Sequence, residues 1–402
     1  MTEPADRPPR RPRYSGKNPK RFEDKYKEHQ PERFPETVAK VIAAGKTPAG
    51  SHVPILVEEC LTALALQPGH IGVDATVGYG GHAVRMLERI TPGGMLLGLD
   101  VDPVELPKTA ARLEALGYGG EVFEAVRSNY AGLAKALALR GLAGVDFVFA
   151  DLGCSSMQLD DPGRGFSFKT AGPLDMRMNP ARGLTAAEWL ARTTASKLAE
   201  ILSDHADEPR AEELGAALAG RRLADTLELA RAVRAEVRGL AEDAADLTVR
   251  RVFQAIRIAV NDEFGALEAW LRSLPDCLKP GGRVAVLTFH SGEDRRVKKA
   301  FQAGQRNGVY ASLSESVITA GPEERRLNPR SSAAKLRWAV KSHVLAEEIA
   351  VERWRLPASH SGACRLRRQA PRIAPATKWA TADRTSAPQH SPAEASAPLR
   401  CF

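Results

Sequence analysis

Residues 73–102, VDATVGYGGHAVRMLERITPGGMLLGLDVD, constrain the fold more than any other stretch. An apolar run over residues 71–75 carries a carboxylate, Asp74, near its end. Gly78, Gly80 and Gly81 follow, and glycines there let the backbone turn tightly and approach a ligand. Val84, Leu87 and Ile90 recur at helical spacing. A turn at Thr91-Pro-Gly-Gly94 leads into a second apolar run, 95–99, closed by Asp100. Strand, glycine loop, helix, turn and strand form the opening unit of a doubly wound parallel sheet. In such sheets an acid about 20 residues past the loop holds a nucleoside ribose.

The loop does not by itself choose the ligand. Gly78-x-Gly80-x-x-Ala83 satisfies the dinucleotide pattern, which is a weak signal alone. A pyrophosphate is held by bare amides and a helix N-terminus, with no carboxylate close by. Asp74 lies four residues before the first glycine. It repels a pyrophosphate and suits a cation. S-adenosylmethionine (SAM) carries an ammonium and a sulfonium and no phosphate. Charge therefore favours SAM over a dinucleotide, or over a loop that only shapes the chain.

The alternation continues for half the sheet. Residues 103–116 are helical in pattern and 121–126 strand-like. Ser128-Asn-Tyr130 comes next, where an aromatic suits either stacking on an adenine or packing. A helical stretch, 131–140, leads to an apolar strand, 145–150, that ends at Asp151. Asp74, Asp100 and Asp151 then share the carboxyl ends of strands, where such sheets bind ligands. Helix caps and solvated turns are the plainer reading of the same acids.

Past Asp151 the pattern breaks. Residues 152–178 are irregular, and loops of that length are functional or disordered. Phe166, Phe168, Met176 and Met178 argue against disorder. Residues 185–257 are rich in Ala, Leu, Glu and Arg at helical spacing, with no strand candidate. They read as a helical insertion over the ligand face. A helix over 252–264 continues through Leu267, Trp270, Leu271 and Leu274. A turn at Lys279-Pro-Gly-Gly282, a strand over 283–289, a helix at 297–301 and a last strand over 336–340 complete the sheet. The fold class is α/β, a Rossmann-like doubly wound sheet with an inserted all-helical domain and disordered tails.

Charge sits at the ends. Of the net +8, residues 1–35 carry 10 basic and 6 acidic side chains and residues 342–402 carry 9 and 5, so each contributes +4. Basic tails raise affinity for nucleic acid or are simply solvated. The five cysteines are scattered without a C-x-x-C pair, which argues against a zinc ribbon or a disulfide framework and suits a reducing cytosol. No apolar run approaches 18 residues, and the basic N-terminus has no apolar segment of the signal-peptide kind. A cytoplasmic protein without metal is expected.

Taken in order, the motifs resemble the MraW-type methyltransferases, the family of ribosomal small-subunit RNA methyltransferase H. They are HVPILVEE from His52, DATVGYGGH from Asp74, GLDVDP from Gly98, DLGCSSMQLD from Asp151, RGFSF from Arg164, GPLDMRM from Gly172, FQAIRIAVNDEF from Phe253, FHSGEDRRVK from Phe289 and NPRSS from Asn328. The resemblance covers residues 51–341 and neither tail. It implies a class I SAM-dependent methyltransferase that modifies the exocyclic N4 of a cytidine in the decoding centre of 16S rRNA. The partner is then the small ribosomal subunit, and the chain is open to homodimerisation. The implied cofactor contacts are Gly80, Gly81, His82, Asp100, Tyr130, Asp151 and Gln158. The resemblance implies a SAM-binding domain over 51–158 and 258–341 and an RNA-recognising helical insertion over 159–257, while composition marks a disordered basic extension over 1–50 and a low-complexity tail over 342–402. Departures include Tyr130 where Phe is usual, Cys154 and Met157 in the DLGCSSM stretch, Asn179 in place of Asp, Asp204-His-Ala-Asp-Glu-Pro, Gly292 in place of Leu, and a reduced arginine run after Asn328.

Chemistry narrows the catalytic candidates. The cytosine N4 lone pair is delocalised into the ring, so the amino group needs in-line positioning and acceptors for its hydrogens. Asp151, Ser155 and Ser156 are the first candidates as acceptors. Asn261, His290 and Asp294 are further ones, with a satisfied core amide and a helix cap as alternative roles for Asn261 and His290. Phe166 and Phe168 are candidates to stack on an unstacked base. An oxidoreductase using a dinucleotide and a non-catalytic ribosome-assembly factor on the same fold stay open beside the methyltransferase.

Overall fold

In the computed structural model, which describes residues 54–155, 158–159 and 161–343, eight strands form a single sheet. The first half comprises α1 (Val57–Leu64), β1 (Ile71–Asp74), α2 (Gly81–Ile90), β2 (Met95–Asp100), α3 (Glu105–Ala115), β3 (Phe123–Arg127), α4 (Leu133–Ala138) and β4 (Val145–Asp151). Next come α5 (Ala186–Arg192), α6 (Ala195–Ala206), α7 (Ala211–Leu218), α8 (Thr226–Glu236) and α9 (Glu242–Asn261). The chain then returns through α10 (Glu263–Cys277), β5 (Leu278–Thr288), α11 (Ser291–Arg306), β6 (Tyr310–Leu313), β7 (Ile318–Thr319), α12 (Pro322–Leu327) and β8 (Lys335–Lys341). Expectations for residues 1–50, for the tail past 343, and for Ser156 and Met157 lie outside the described residues.

The strand order is β3-β2-β1-β4-β5-β8-β6, with β7 also on β8. Strands β1 to β5 pair in parallel, and β8 runs antiparallel to β5. The winding reverses between β1 and β4, the crevice where open α/β sheets bind ligands. Asp74 is in register with Gly98 on β2 and Phe149 on β4, so Asp100 and Asp151 lie two residues further along the same end.

Strand alternation explains the layers. Phe147 and Phe149 face a core shared with α1, α2 and α3, while Val148 and Ala150 face one shared with α4, α10 and α11. Burial of both faces is why these strands read as continuous apolar runs. A third core belongs to the helices between β4 and β5, with Leu190, Leu202, Leu214, Leu229, Val249 and Ile256 at its centre. Thr185 starts that group with a reciprocal cap: its side chain accepts from Glu188 N, and Glu188 accepts from Thr185 N.

Several local expectations change. The single helix read through residue 264 is two, because Asp262 adopts φ 49 and breaks it between α9 and α10. Lys279-Pro-Gly-Gly282 is a bulge within β5. The register jumps from Val145↔Leu278 to Phe147↔Arg283, and Lys279 Nζ grips Asp146 at 2.8 and 2.9 Å. The short strands β6 and β7 have no counterpart in the periodicity.

The departures at Gly292 and around Asp204–Pro209 fit each other. Asp207 accepts from Ser291 Oγ at 2.6 Å and from Arg295, tying the end of α6 to the start of α11. His205 meets Phe264 edge-on at 4.9 Å, and the Arg296 guanidinium lies 3.6 Å above the same ring. A Cβ at Gly292 would fall 2.5 Å from Phe264 Cζ, so phenylalanine occupies the space a larger residue needs. Gly292→Leu should therefore destabilise the fold by about 1–3 kcal/mol, the usual cost of overpacking. The check is the urea midpoint, and Gly292→Leu combined with Phe264→Ala should recover part of the loss.

Candidate active site

A cavity of about 500 Å³ opens at the carboxyl ends of β1, β2 and β4, within the usual range of about 300–1,000 Å³ for small-molecule sites. Its floor is the glycine loop. Gly80 adopts φ 86 as the residue before α2, a left-handed conformation that favours glycine. Asp100 fixes the loop by accepting from Gly78 N at 2.9 Å while its other oxygen accepts from Asp102 N. Gly81 and His82 line the cavity and Gly80 sets the turn behind them.

Asp74, Asp100 and Asp151 all line this cavity. Burial pushes Asp74 up to about 8, against a bond from Thr76 N, and Asp151 and Asp100 add to the rise. Burial and then Glu293 push Asp151 up to about 7. Asp100 is raised as well, again by burial, in spite of its backbone donors. Among the described residues no lysine or arginine is ion-paired with Asp74 or Asp151. Among the described residues these two acids have no paired cation to hold them ionised, and a cationic ligand supplies one. A sulfonium and an ammonium fit that need. A pyrophosphate does not.

The opposite wall comes from beyond β4. Gln158 donates to Asp102 Oδ2 at 3.1 Å and accepts from Ser155 N, which fixes the orientation of its amide. Arg164 donates to the same Asp102 oxygen at 2.8 Å and to the carbonyls of Arg177 and Met178. Burial alone would raise Asp102, but Arg164 and Val104 N outweigh it and leave the carboxyl below its usual range. Arg257 forms a bidentate pair with Glu263 at 2.8 and 2.9 Å and donates to Cys154 Sγ at 3.3 Å. Burial works against that guanidinium, and Glu263 and Cys154 more than offset it. Tyr130, whose hydroxyl is the departure from phenylalanine, donates to the Glu263 carbonyl at 3.2 Å and meets Trp270 edge-on.

The predicted cofactor residues thus converge: Gly81, His82, Asp100, Tyr130, Asp151 and Gln158 share one cavity. The catalytic candidates do not all stand free. Asn261 spends its amide on Met178 N, Met176 O and Arg257 O, so it anchors the 176–178 loop. Asp294 pairs with Arg337 at 2.6 Å and Lys335 at 3.5 Å, away from the cavity wall. His290 is on the wall, but its Nδ1 caps α11 by accepting from Glu293 N and its Nε2 lies 3.1 Å from Glu293 Oε1. Ser155 Oγ accepts from Gln158 N. Neither Phe166 nor Phe168 lines the cavity: Phe166 is buried in the helical core and Phe168 packs against it, edge-on to Phe253 at 5.3 Å. The cavity's aromatic wall is instead Tyr79, Tyr130, Phe264 and Phe289. Asp102, Arg164, Arg257 and Glu263 were missed as site residues. Their signal was a charged residue inside an otherwise apolar or small-residue motif.

A doubly wound sheet with acids at its switch point and a cation-seeking cavity above them is a class I methyltransferase, with SAM as its cofactor. Comparison with known proteins makes the assignment particular. The MraW methylase family matches residues 49–342, and the chain belongs to that family. It is 46% identical over 342 residues to ribosomal RNA small subunit methyltransferase H 1 of Lachnoclostridium phytofermentans, covering 83% of this chain and 93% of that one. It is 42% identical over 341 residues to ribosomal RNA small subunit methyltransferase H 2 of Acholeplasma laidlawii, covering 83% and 98%. No helix among the described residues is long and apolar enough to cross a membrane, and among them no cluster of three ligands is placed for a metal ion.

Proposed function

We propose that this chain methylates the exocyclic N4 of a cytidine in 16S rRNA, acting in the cytoplasm on the small ribosomal subunit or a precursor of it. The observation that carries the chemistry is Asp151. It closes β4 at the switch point, lines the cavity, and is followed directly by the small-residue loop 152–155. The relatives named for small-subunit rRNA support the substrate.

When bound, SAM supplies an electrophilic methyl group. The chain's residues do the rest. Asp100 suits the ribose hydroxyls, Tyr130 the adenine face, and Asp74 the cationic end. Asp102 and Arg164 hold Gln158 in place. Holding the N4 nitrogen in line with the methyl carbon is worth about 7–11 kcal/mol. Asp151 accepts an amino hydrogen as the nitrogen leaves conjugation, and takes the proton that the methylated nitrogen sheds. The helices over 159–257 form the RNA-recognising insertion, whose loop 161–178 reaches the cavity through Arg164 and Met178.

The test is mass spectrometry of 16S rRNA nucleosides from cells with and without the gene. N4-methylcytidine should disappear with the gene and return with the native chain. Unchanged nucleosides would leave an assembly factor as the better reading. Tight NAD(P) binding without SAM binding would favour an oxidoreductase.

A further inference from the structure

His82 has a role that its place in the glycine loop does not require. Its Nε2 lies 2.9 Å from the Ile55 carbonyl oxygen. A carbonyl only accepts, so Nε2 carries the proton and Nδ1 is left with a lone pair. That lone pair faces Asp151, with Nδ1 3.6 Å from Oδ2. The ring is 8% exposed and held against Phe149 at a centroid distance of 4.6 Å, so it cannot swing to water. Asp151 is itself positioned from behind, its backbone N donating to Thr76 Oγ1 at 2.6 Å. An imidazole lone pair and an ionised carboxylate repel at this range. One proton placed between them turns the contact into an attraction.

We propose that His82 and Asp151 form a proton-accepting dyad, in which the proton shed by the methylated nitrogen moves to Asp151 and is shared with His82 Nδ1. The inference rests on the reading of Asp151 as the acceptor of the amino hydrogen. The bond from sulfur to methyl breaks and leaves its electron pair on sulfur as a neutral thioether. The bond from N4 to carbon forms with the nitrogen lone pair, and the nitrogen becomes cationic. The nitrogen then passes one proton to Asp151, whose carboxyl O–H donates to His82 Nδ1. His82 keeps its Nε2 proton on Ile55 throughout and acts as a positioning residue. Burial lowers His82 to about 4, so the ring remains a neutral acceptor through the working range. Glu293 from α11 adds negative charge near Asp151, and Asp74 from β1 and Cys60 from α1 are close enough to feel the Asp151 charge. Glu293 too favours a protonated Asp151 between turnovers.

The test is His82→Gln. Its amide nitrogen can keep the bond to Ile55, but it has no lone pair at the Nδ1 position. Single-turnover methylation of small subunits from a gene-deleted strain should be followed against pH, with SAM saturating. The native chain should lose rate below a limb set by Asp151. In the variant the protonated carboxyl loses its acceptor. The limb should move down by about one pH unit and the plateau should fall about tenfold, a share of the 10²–10⁴ typical of general bases. A plateau that falls while the limb stays fixed would overturn the dyad and leave His82 a purely structural residue. If the native chain methylates nothing, the parent reading fails instead. Should the variant not fold, ¹⁵N NMR of the native protein labelled at histidine decides. Nε2 protonated and Nδ1 hydrogen-bonded is expected, and a proton resident on Nδ1 in the free protein would refute the assignment.

Discussion

Asp151→Asn should give a folded protein that binds SAM and transfers methyl at least about a hundredfold more slowly, at the lower end of the 10²–10⁴ range for a lost general base. Asparagine preserves the shape at the end of β4, and Thr76 Oγ1 still receives the backbone N–H. What is lost is the capacity to take a proton. The carboxamide keeps one acceptor oxygen and turns two donors towards a nitrogen that is becoming positive. The change should also stabilise the protein above pH 7, because it removes a half-buried acid whose ionisation is disfavoured. Faster unfolding cannot then account for the lost rate. Single-turnover rates and thermal midpoints on the same sample check both halves. A variant within about threefold of the native rate, far short of what a general base contributes, would remove Asp151 from the chemistry.

The sheet and the acids that line its cavity were legible because both obey short-range rules. Period-two burial on two faces gives apolar runs, and the acids at residues 74, 100 and 151 punctuate them at the point where each strand must stop. The RNA-side residues were not legible, for a different reason. Phe166 and Phe168 sit in a loop rich in small residues, and a loop aromatic looks the same in sequence whether it faces a ligand or a core. Only the packing of α5 to α9 decides, and it buries Phe166 and sets Phe168 against the core. Asn261 and Asp294 show the converse. A polar residue in a motif can serve the backbone or an ion pair, and the partners that settle this, Met176, Met178 and Arg337, lie 43 to 85 residues away. The Arg257–Glu263 pair was hidden by its own spacing, since it spans the break at Asp262 that periodicity read through.

The free protein should lose stability as pH rises from about 6.5 to about 8.5, and SAM should restore it, with a larger thermal shift at the upper end. The sign follows from the two carboxyls. Asp74 rises from 3.8 to about 8 and Asp151 to about 7 on folding, so the native state binds more protons than the unfolded chain between those values. Their contribution is complete below 3.8 and gone above about 8. Both groups therefore bias the free fold in the same direction. His82 works in the opposite sense: lowered to about 4, it costs stability as pH falls below its usual 6.5. The two effects oppose each other below pH 6.5 and the carboxyls act alone above it, which fixes the window to measure. A bound sulfonium and ammonium supply the missing countercharge and favour the ionised acids. SAM should therefore bind more tightly with rising pH, by up to about tenfold per unit for each proton released. Calorimetry in two buffers of different ionisation enthalpy should show that release near neutrality. Binding that is independent of pH and releases no protons would mean that Asp74 and Asp151 do not face the positive end of the ligand, and the electrostatic basis for the site would fall with it.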